Sequence, residues 1–384
     1  MVPVAVTFAA LATYNSTSSV GFVLAAGAVP LVAFLILGGA IADRVGARKA
    51  MLAADVLRSA SQLGLGLWIV FGHPSLLGFM LLQALVGVGT GVFMPASTAL
   101  IPALADKQTL QQANAFRHLA SSFGRLLGPA VAGVVVARAS PGWAIVIDGL
   151  SYALTVGLLW SLRLLPGVAT SGGTLIVQLR QGWHEFWTRD WLWAIVGQAG
   201  LLGISAWPVF YVLGAVVARA SLGGAAVWGL ILSAMGAGTI VGGLLSLRLR
   251  TRRPLLIVAL IPASWFLPLL GLAFEAPAAT IALAAFVVGA GGSVSMSLWD
   301  TTMQTEIPPA VLARVSSYDL TTSFALLPIG YALVGPVSVA LGIQRTFLLA
   351  VAIVLFAVLA VLMLPSVTRP RPDDKTLNSG VQIP

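Results

Sequence analysis

The chain has 384 residues, of which 58% are hydrophobic and only 9% charged, and its mean hydropathy is +0.98. A soluble domain devotes about a quarter of its residues to Asp, Glu, Lys and Arg, so this composition excludes a soluble protein and indicates an integral membrane one. The net charge of +9 does not indicate a nucleic-acid binder, because the basic residues sit in short loops between apolar runs rather than in a basic stripe.

Apolar runs and loop punctuation predict twelve spans, near 1–13, 19–42, 51–71, 76–102, 115–137, 143–164, 191–216, 223–247, 254–274, 278–302, 315–341 and 345–366. All but the first reach the ~20 residues that cross a ~30 Å hydrocarbon core. The runs are continuously apolar, without the alternation of barrel strands, so the expected fold is an all-α polytopic membrane protein.

The start has no basic residue, and no cleavable signal is evident. Asn15-Ser16-Thr17 matches a glycosylation sequon, a pattern frequent by chance. Residues 1–42 hold no Asp, Glu, Lys, Arg or His, and then "GGAIADRVGARK" brings Asp43, Arg44, Arg48 and Lys49 together after span 2. Gly39 is expected to let two helices approach closely, Gly46 to supply the positive φ of a tight reversal, and the basic residues to hold the turn in the cytoplasm. Asp43, at a helix end, is suited to accept hydrogen bonds from the positive end of a neighbouring helix.

Span 3 holds Asp55 and Arg58 at the spacing of a local helical ion pair. In span 4, "GVGTGV" at 87–92 lies inside an apolar helix rather than after a strand, so its glycines serve close packing and not a dinucleotide. Span 5 carries "GRLLGPAVAG", with Gly124, Gly128 and Gly133 as a smooth packing face and Pro129 removing one backbone hydrogen bond. Arg58 and Arg125 are the bases inside spans, able to serve coupling or to snorkel toward the surface. Membrane carboxylates usually face a cavity or a partner. Asp148 in span 6 and Asp300 in span 10 have no base nearby in sequence and are the first candidates for proton or cation binding, with Asp55 and Arg58 behind them; Asp319 is expected in a first helical turn, where it simply favours the dipole.

If both termini are cytoplasmic, 16 of the 21 lysines and arginines fall in inner loops and the tail, as the positive-inside rule requires. The halves echo each other: Gly39 matches Gly243, "VGVG" at 86–89 matches "VGAG" at 288–291, and Gly128-Pro129 matches Gly335-Pro336, at offsets of 204, 202 and 207. The expected organisation is therefore two pseudo-symmetric six-helix bundles, 1–164 and 191–366, with a central cytoplasmic linker at 165–190 and a cytoplasmic tail at 367–384. The linker, with Arg180, Trp183, His184, Glu185, Phe186, Trp187 and Arg189, reads as an amphipathic interfacial helix. The same repeat places the start of the first helix upstream of Met1, so the chain is expected to begin inside that helix.

Cysteine is absent, the three histidines are far apart, and no Lys follows a G-x-x-x-x-G pattern. No metal, cofactor, enzymatic activity or ATP-driven step is expected.

Two six-helix halves, the charged turn after helix 2 and the Gly-Pro helix 5 together resemble the major facilitator superfamily of secondary transporters, over essentially the whole chain. The family's loop pattern G-x-x-x-D-R-x-G-x-[RK]-[RK] is matched by Gly39, Asp43, Arg44, Gly46, Arg48 and Lys49. The resemblance implies a latch at Asp43 between the halves that stabilises the outward-facing state, one-sided here because Leu247 stands at the matching place in the second copy. Gly124, Gly128, Pro129 and Gly133 resemble the antiporter motif, with Ala132 where that motif often has glycine, and they imply export. Gln83 stands four residues before Gly87, where many proton-coupled members carry Arg, so a coupling role does not carry over to it.

"FMPASTALIP", "QQANAFR" and "LLGPAVAG" resemble the drug and siderophore exporters, including macrolide and enterobactin efflux proteins. The implied mechanism is alternating access at the plasma membrane, an inward proton gradient driving export of an amphipathic small molecule by a monomer. Helices 1, 4, 7 and 10 line the cavity of this fold, pointing to Phe93, Met94, Trp207, Tyr211, Met296 and Trp299. The competing expectations are a nutrient importer of the same fold and a non-transporting receptor or scaffold.

Overall fold

A computed structural model describes residues 2–100, 110–161, 186–249, 251–307 and 309–368. The expected linker lies outside these residues up to position 185, and the tail from 369 onward. Every regular element among the described residues is helical. In chain order they are α1 (Val2–Tyr14), α2 (Thr17–Val45), α3 (Ala47–Phe71), α4 (Leu76–Leu100), α5 (Leu110–Arg138) and α6 (Pro141–Ser161). Then come α7 (Asp190–Leu222), α8 (Ala225–Ser246), α9 (Pro254–Ala273) and α10 (Ala278–Glu306), an α11 in two segments (Pro309–Ala325 and Leu327–Leu341), and α12 (Ile343–Leu362).

Ten of these helices are long and apolar enough to cross a membrane. The other two expected spans are α1, short at 13 residues, and α3, of full length at 25 residues but with a polar face. Although short, α1 is enclosed: Val4 through Leu11 are all buried, with α5 and α6 on one side and α7 and α8 on the other.

Several helices are interrupted where proline removes a backbone donor. In α7 the regular helix stops at Ile204, the carbonyl that Pro208 leaves without its partner, and π-helical turns follow at Val209–Leu213 and Ala218–Leu222. Pro262 lies in a 3₁₀ turn, Ile261–Trp265, within α9, and Pro328 follows the break between the segments of α11.

Hydropathy placed several boundaries too tightly. The charged motif is not an open loop: α2 runs to Val45, α3 begins at Ala47, and Gly46 alone turns the chain, at φ +89°. The close approach expected of Gly39 belongs to its neighbour. A side chain at Gly39 would meet nothing within 4 Å, whereas one at Gly38 would strike the backbone of Gly91 and Val92 in α4. The first segment of α11 starts at Pro309 rather than near 315, so Asp319 is well inside a helix and not in its first turn; polar residues such as Arg314 and Ser316 lowered the local hydropathy without ending the helix.

The repeat seen in sequence is a repeat of contacts. Gly87 of α4 packs against the carbonyl of Gly27 in α2, and Gly289 of α10 packs against the carbonyl of Met235 in α8. Gly38 meets α4 as Gly242 meets the Ala290 backbone of α10. The third landmark marks the seam between halves. Around Pro129, α5 presses on α8, with Gly133 against Ala225 and Gly229; around Gly335, α11 presses on α2 at Ser18. These seams, and the 2.7 Å hydrogen bond from Arg219 Nη1 of α7 to the Leu11 carbonyl of α1, hold the halves together toward the end of the molecule opposite Gly46.

Candidate transport site

The polar face of α3 is read directly from its spacing: Asp55, Arg58, Ser59 and Gln62 fall at i, i+3, i+4 and i+7, one face of a helix. All four are buried. Arg58 forms an ion pair with Asp55 through Nη2 and Oδ1, as the sequence predicts. The guanidinium also lies 4.2 Å from the ring centroid of Phe93 in α4 and 4.5 Å from that of Tyr152 in α6, the geometry of cation–π contacts. Room for its stem comes from Gly89, whose missing side chain would collide with Arg58 Cγ. Asp55 Oδ2 and Arg58 Nε are buried without a hydrogen-bond partner.

One turn further along α3, Gln62 Nε2 donates to Asp148 Oδ2 of α6 at 3.2 Å, and Gln83 Nε2 of α4 donates to Gln62 Oε1 at 3.3 Å. Ser59 Oγ donates to the Gly149 carbonyl at 2.9 Å, fixing α3 against α6. Three helices thus enclose an acid, an ion pair and two amides within the bundle. An amide chain of this kind holds the carboxylate in place through neutral donors, and among the described residues no ion pair to Asp148 is formed.

At the Gly46 turn, Arg48 Nε donates to the Leu159 carbonyl at 2.9 Å and Arg48 Nη2 donates to the Trp160 carbonyl, so the motif arginine caps the last turn of α6. Arg44 and Lys49 are exposed. The side chain of Asp43 lies outside the described residues.

Between the halves is a cavity of about 260 Å³. Gly124, Arg125 and Pro129 of α5 form one wall, Met235 and Thr239 of α8 another, and Tyr211 of α7 closes one side. A side chain at Gly124 would meet nothing within 4 Å, so that position opens onto free space. The helix 5 motif therefore serves two surfaces, with Gly133 packed on α8 and Gly124 and Pro129 lining the cavity.

Of the six expected cavity residues, Tyr211 lines this space. Phe93 is engaged with Arg58, and Trp207 packs on Phe324 at 5.9 Å between ring centroids. Met94 and Met296 are exposed. Trp299 is buried, donates from Nε1 to Asp319 Oδ2 at 2.9 Å and meets Trp191 edge-to-face at 5.7 Å. Among the acids, Asp148 is buried and Asp300 exposed. The half-buried acid of the second half is Asp319, also approached by Ser323 Oγ at 3.4 Å. Sequence reasoning passed over Gln62, Tyr152 and Asp319. The signals existed for the first two: Gln62 continues the polar stripe of α3, and Tyr152 stands one turn after Asp148.

The model of the transmembrane secretion effector family matches residues 1–379. The enterobactin exporter EntS of Citrobacter koseri is 28% identical over 325 residues, covering 84% of this chain and 77% of that one. That of Escherichia coli O81 is also 28% identical, over 324 residues with the same coverage. In three dimensions the chain is similar to a D-xylose–proton symporter, with a TM-score of 0.72 at 19% identity over 96% of this chain and 94% of that one. A bacterial homologue of the human lysosomal transporter Spinster gives 0.70 at 14%, over 94% and 93%. At such identities the structures speak for the fold alone. With a family model matched along nearly its whole length, the chain belongs to the transmembrane secretion effector family and is a multi-pass membrane transporter of the major facilitator superfamily.

Proposed function

We propose that the protein is a secondary active exporter that moves an amphipathic small molecule, of the siderophore or drug class, out of the cell in exchange for protons. The observation that carries this reading is Asp148. It is a carboxylate inside a membrane bundle, buried, and hydrogen-bonded to a neutral amide rather than to a base. Such a group is a place where a proton binds and leaves as access alternates. The 28% identity to enterobactin exporters over most of the chain supports export and the substrate class.

In this mechanism the two bundles rock about the α5–α8 and α2–α11 seams, and the molecule is a monomer with both termini in the cytoplasm. The Gly46 turn then faces the cytoplasm and the seams close the outer side, so the conformation described is one sealed toward the outside. Asp43 and its neighbours act as the latch of the opposite state. Asp148 carries the coupling proton, with Asp55 and Arg58 as the fixed charge pair beside it and Asp300 as a second candidate.

Flux in inverted membrane vesicles tests this, with a panel of siderophores and amphipathic drugs as substrates and an imposed pH gradient as the drive. The expected result is accumulation of at least one compound that collapses with the gradient, together with raised resistance to it in an efflux-deficient host. Gradient-driven movement in the opposite direction would make the protein an importer, and binding without flux would make it a receptor.

A further inference from the structure

The two intramembrane arginines are in opposite situations. Arg58 is buried, ion-paired and sandwiched between rings. Arg125 lies within the apolar span Ala120–Arg138 of α5, its side chain exposed, with Ser122 Oγ at 3.3 Å as hydrogen-bond partner. No carboxylate stands within ion-pair distance of it among the described residues.

Its backbone is fixed, because Gly236 of α8 packs directly on the Arg125 carbonyl and the Leu126 Cα. The side chain is thereby held at the wall of the 260 Å³ cavity, where it is the one charged residue among the described residues that line it. The remaining walls are apolar, apart from hydroxyls at Ser121, Tyr211 and Thr239, and Gly124 beside it leaves the space open.

A cation at the wall of such a cavity, with neutral side chains around it among the described residues, is a site suited to an anion. The planar guanidinium presents paired donors that match a carboxylate or another flat oxyanion. We infer that this cavity binds the anionic end of an amphipathic molecule, Arg125 pairing with its single negative group while Pro129, Leu232 and Met235 take the apolar body. This deepens the exporter reading and rests on it for the role of the site, since it assigns a charge class to the cargo: a monoanionic amphiphile in preference to a neutral or cationic one.

The test needs no transport. The full chain in phosphatidylcholine proteoliposomes, which contribute no anionic lipid, is titrated with dansylglycine and with its neutral analogue dansylglycinamide, and binding is read by energy transfer from tryptophan. Wild type is expected to bind the anion at least fivefold more tightly than the amide. Arg125→Gln should bring the two affinities within twofold, and Arg125→Lys should keep most of the preference. Gly124→Leu, which fills the cavity without touching charge, should weaken both probes alike. Equal binding of the two probes by wild type, or a preference that survives Arg125→Gln, would overturn the inference. Intact preference without gradient-driven export would count against the exporter reading and for this site, whereas export without preference would count against the site alone.

Discussion

The two halves share a scaffold but not a charge distribution. Gly87 on Gly27 and Gly289 on Met235 pack the equivalent pair of helices in each half, through glycines 202 positions apart, an offset that the repeat predicts. The polar cluster is made once. At the repeat's offsets, Asp55 corresponds to Ala259, Gln83 to Ala285, and Asp148 to the apolar run Ala352–Leu355. Throughout Pro254–Ala273, α9 has no Asp, Glu, Lys, Arg, His or Gln. Where Asp55 offers a carboxylate to Arg58, Ala259 offers only its backbone carbonyl, which accepts from Gln198 Nε2 at 3.0 Å. Close packing in a membrane depends on small residues at fixed places, so a duplicated fold keeps them. Buried charge carries a cost that only function justifies, and one copy suffices.

The sharpest way to break this comparison is to make the first half resemble the second. Arg58→Leu leaves Asp55 buried without its cation, a change that costs about 3–5 kcal/mol. The double variant Asp55→Ala, Arg58→Leu removes both charges, as in α9, and should recover most of the loss. Thermal unfolding in detergent reads both. Should the single and double variants melt together near wild type, the pair would not be the tightly buried element that its packing indicates.

The glycine contacts should behave in the opposite manner, identically in both halves. Gly87→Val and Gly289→Val each drive a branched side chain into a carbonyl of the facing helix, and overpacking of this kind costs ~3 kcal/mol. Comparable loss of monodisperse protein is expected from the two. A severe effect from one and none from the other would deny that the contacts are equivalent.

Much of this was legible in the sequence, and unevenly so. Twelve helices, their order and the duplication followed from apolar runs and from three glycine landmarks, because a membrane enforces run length and close approach enforces glycine. The Asp55–Arg58 pair followed from local spacing. What sequence could not give was partnership across helices. Gln62 meets Asp148 over 86 positions and Gln83 over 21, and nothing in the chain order announces which face of α6 or α4 turns toward α3. Gln83 stands where the resemblance leads one to expect an arginine, and it is this amide that completes the chain to the acid. Which side chains share one cavity is hard to read for a related reason: of the six expected residues Tyr211 lines the space between α5 and α8, and rotation of a helix by one residue moves a side chain by 100°, a rotation that no hydropathy pattern fixes on an apolar helix.

The charge asymmetry predicts that coupling fails from one side only. Asp148→Asn keeps the size of the side chain and its contact with Gln62 while removing the titrating group. Gradient-driven efflux should fall at least tenfold, equivalent to about 1.4 kcal/mol on a rate scale, with binding of the unenergised protein unchanged. Asp300→Asn, at an exposed position, should alter flux by less than a factor of two on the same scale. The reverse ranking would move proton handling to the second half.

The smallest expected effect concerns the Gly46 turn, and it separates two roles that the motif combines. Arg48 donates to the Leu159 and Trp160 carbonyls, the orphan acceptors at the negative end of α6. Trp160 is 74% exposed, so water replaces part of what Arg48→Ala removes, and the cost should be only ~1 kcal/mol, or about 2 °C in melting temperature. Lysine brings one point charge where arginine brings a fork, so Arg48→Lys should recover about half of that. If the arginine is simply a cap, flux measured well below the melting temperature stays near wild type. If it also belongs to the latch, flux falls several-fold in Arg48→Ala while the melting temperature barely moves, because a contact made in one conformational state shifts the balance between states by its own free energy. The latch reading requires this second outcome; flux that follows stability alone would reduce Arg48 to the cap of α6.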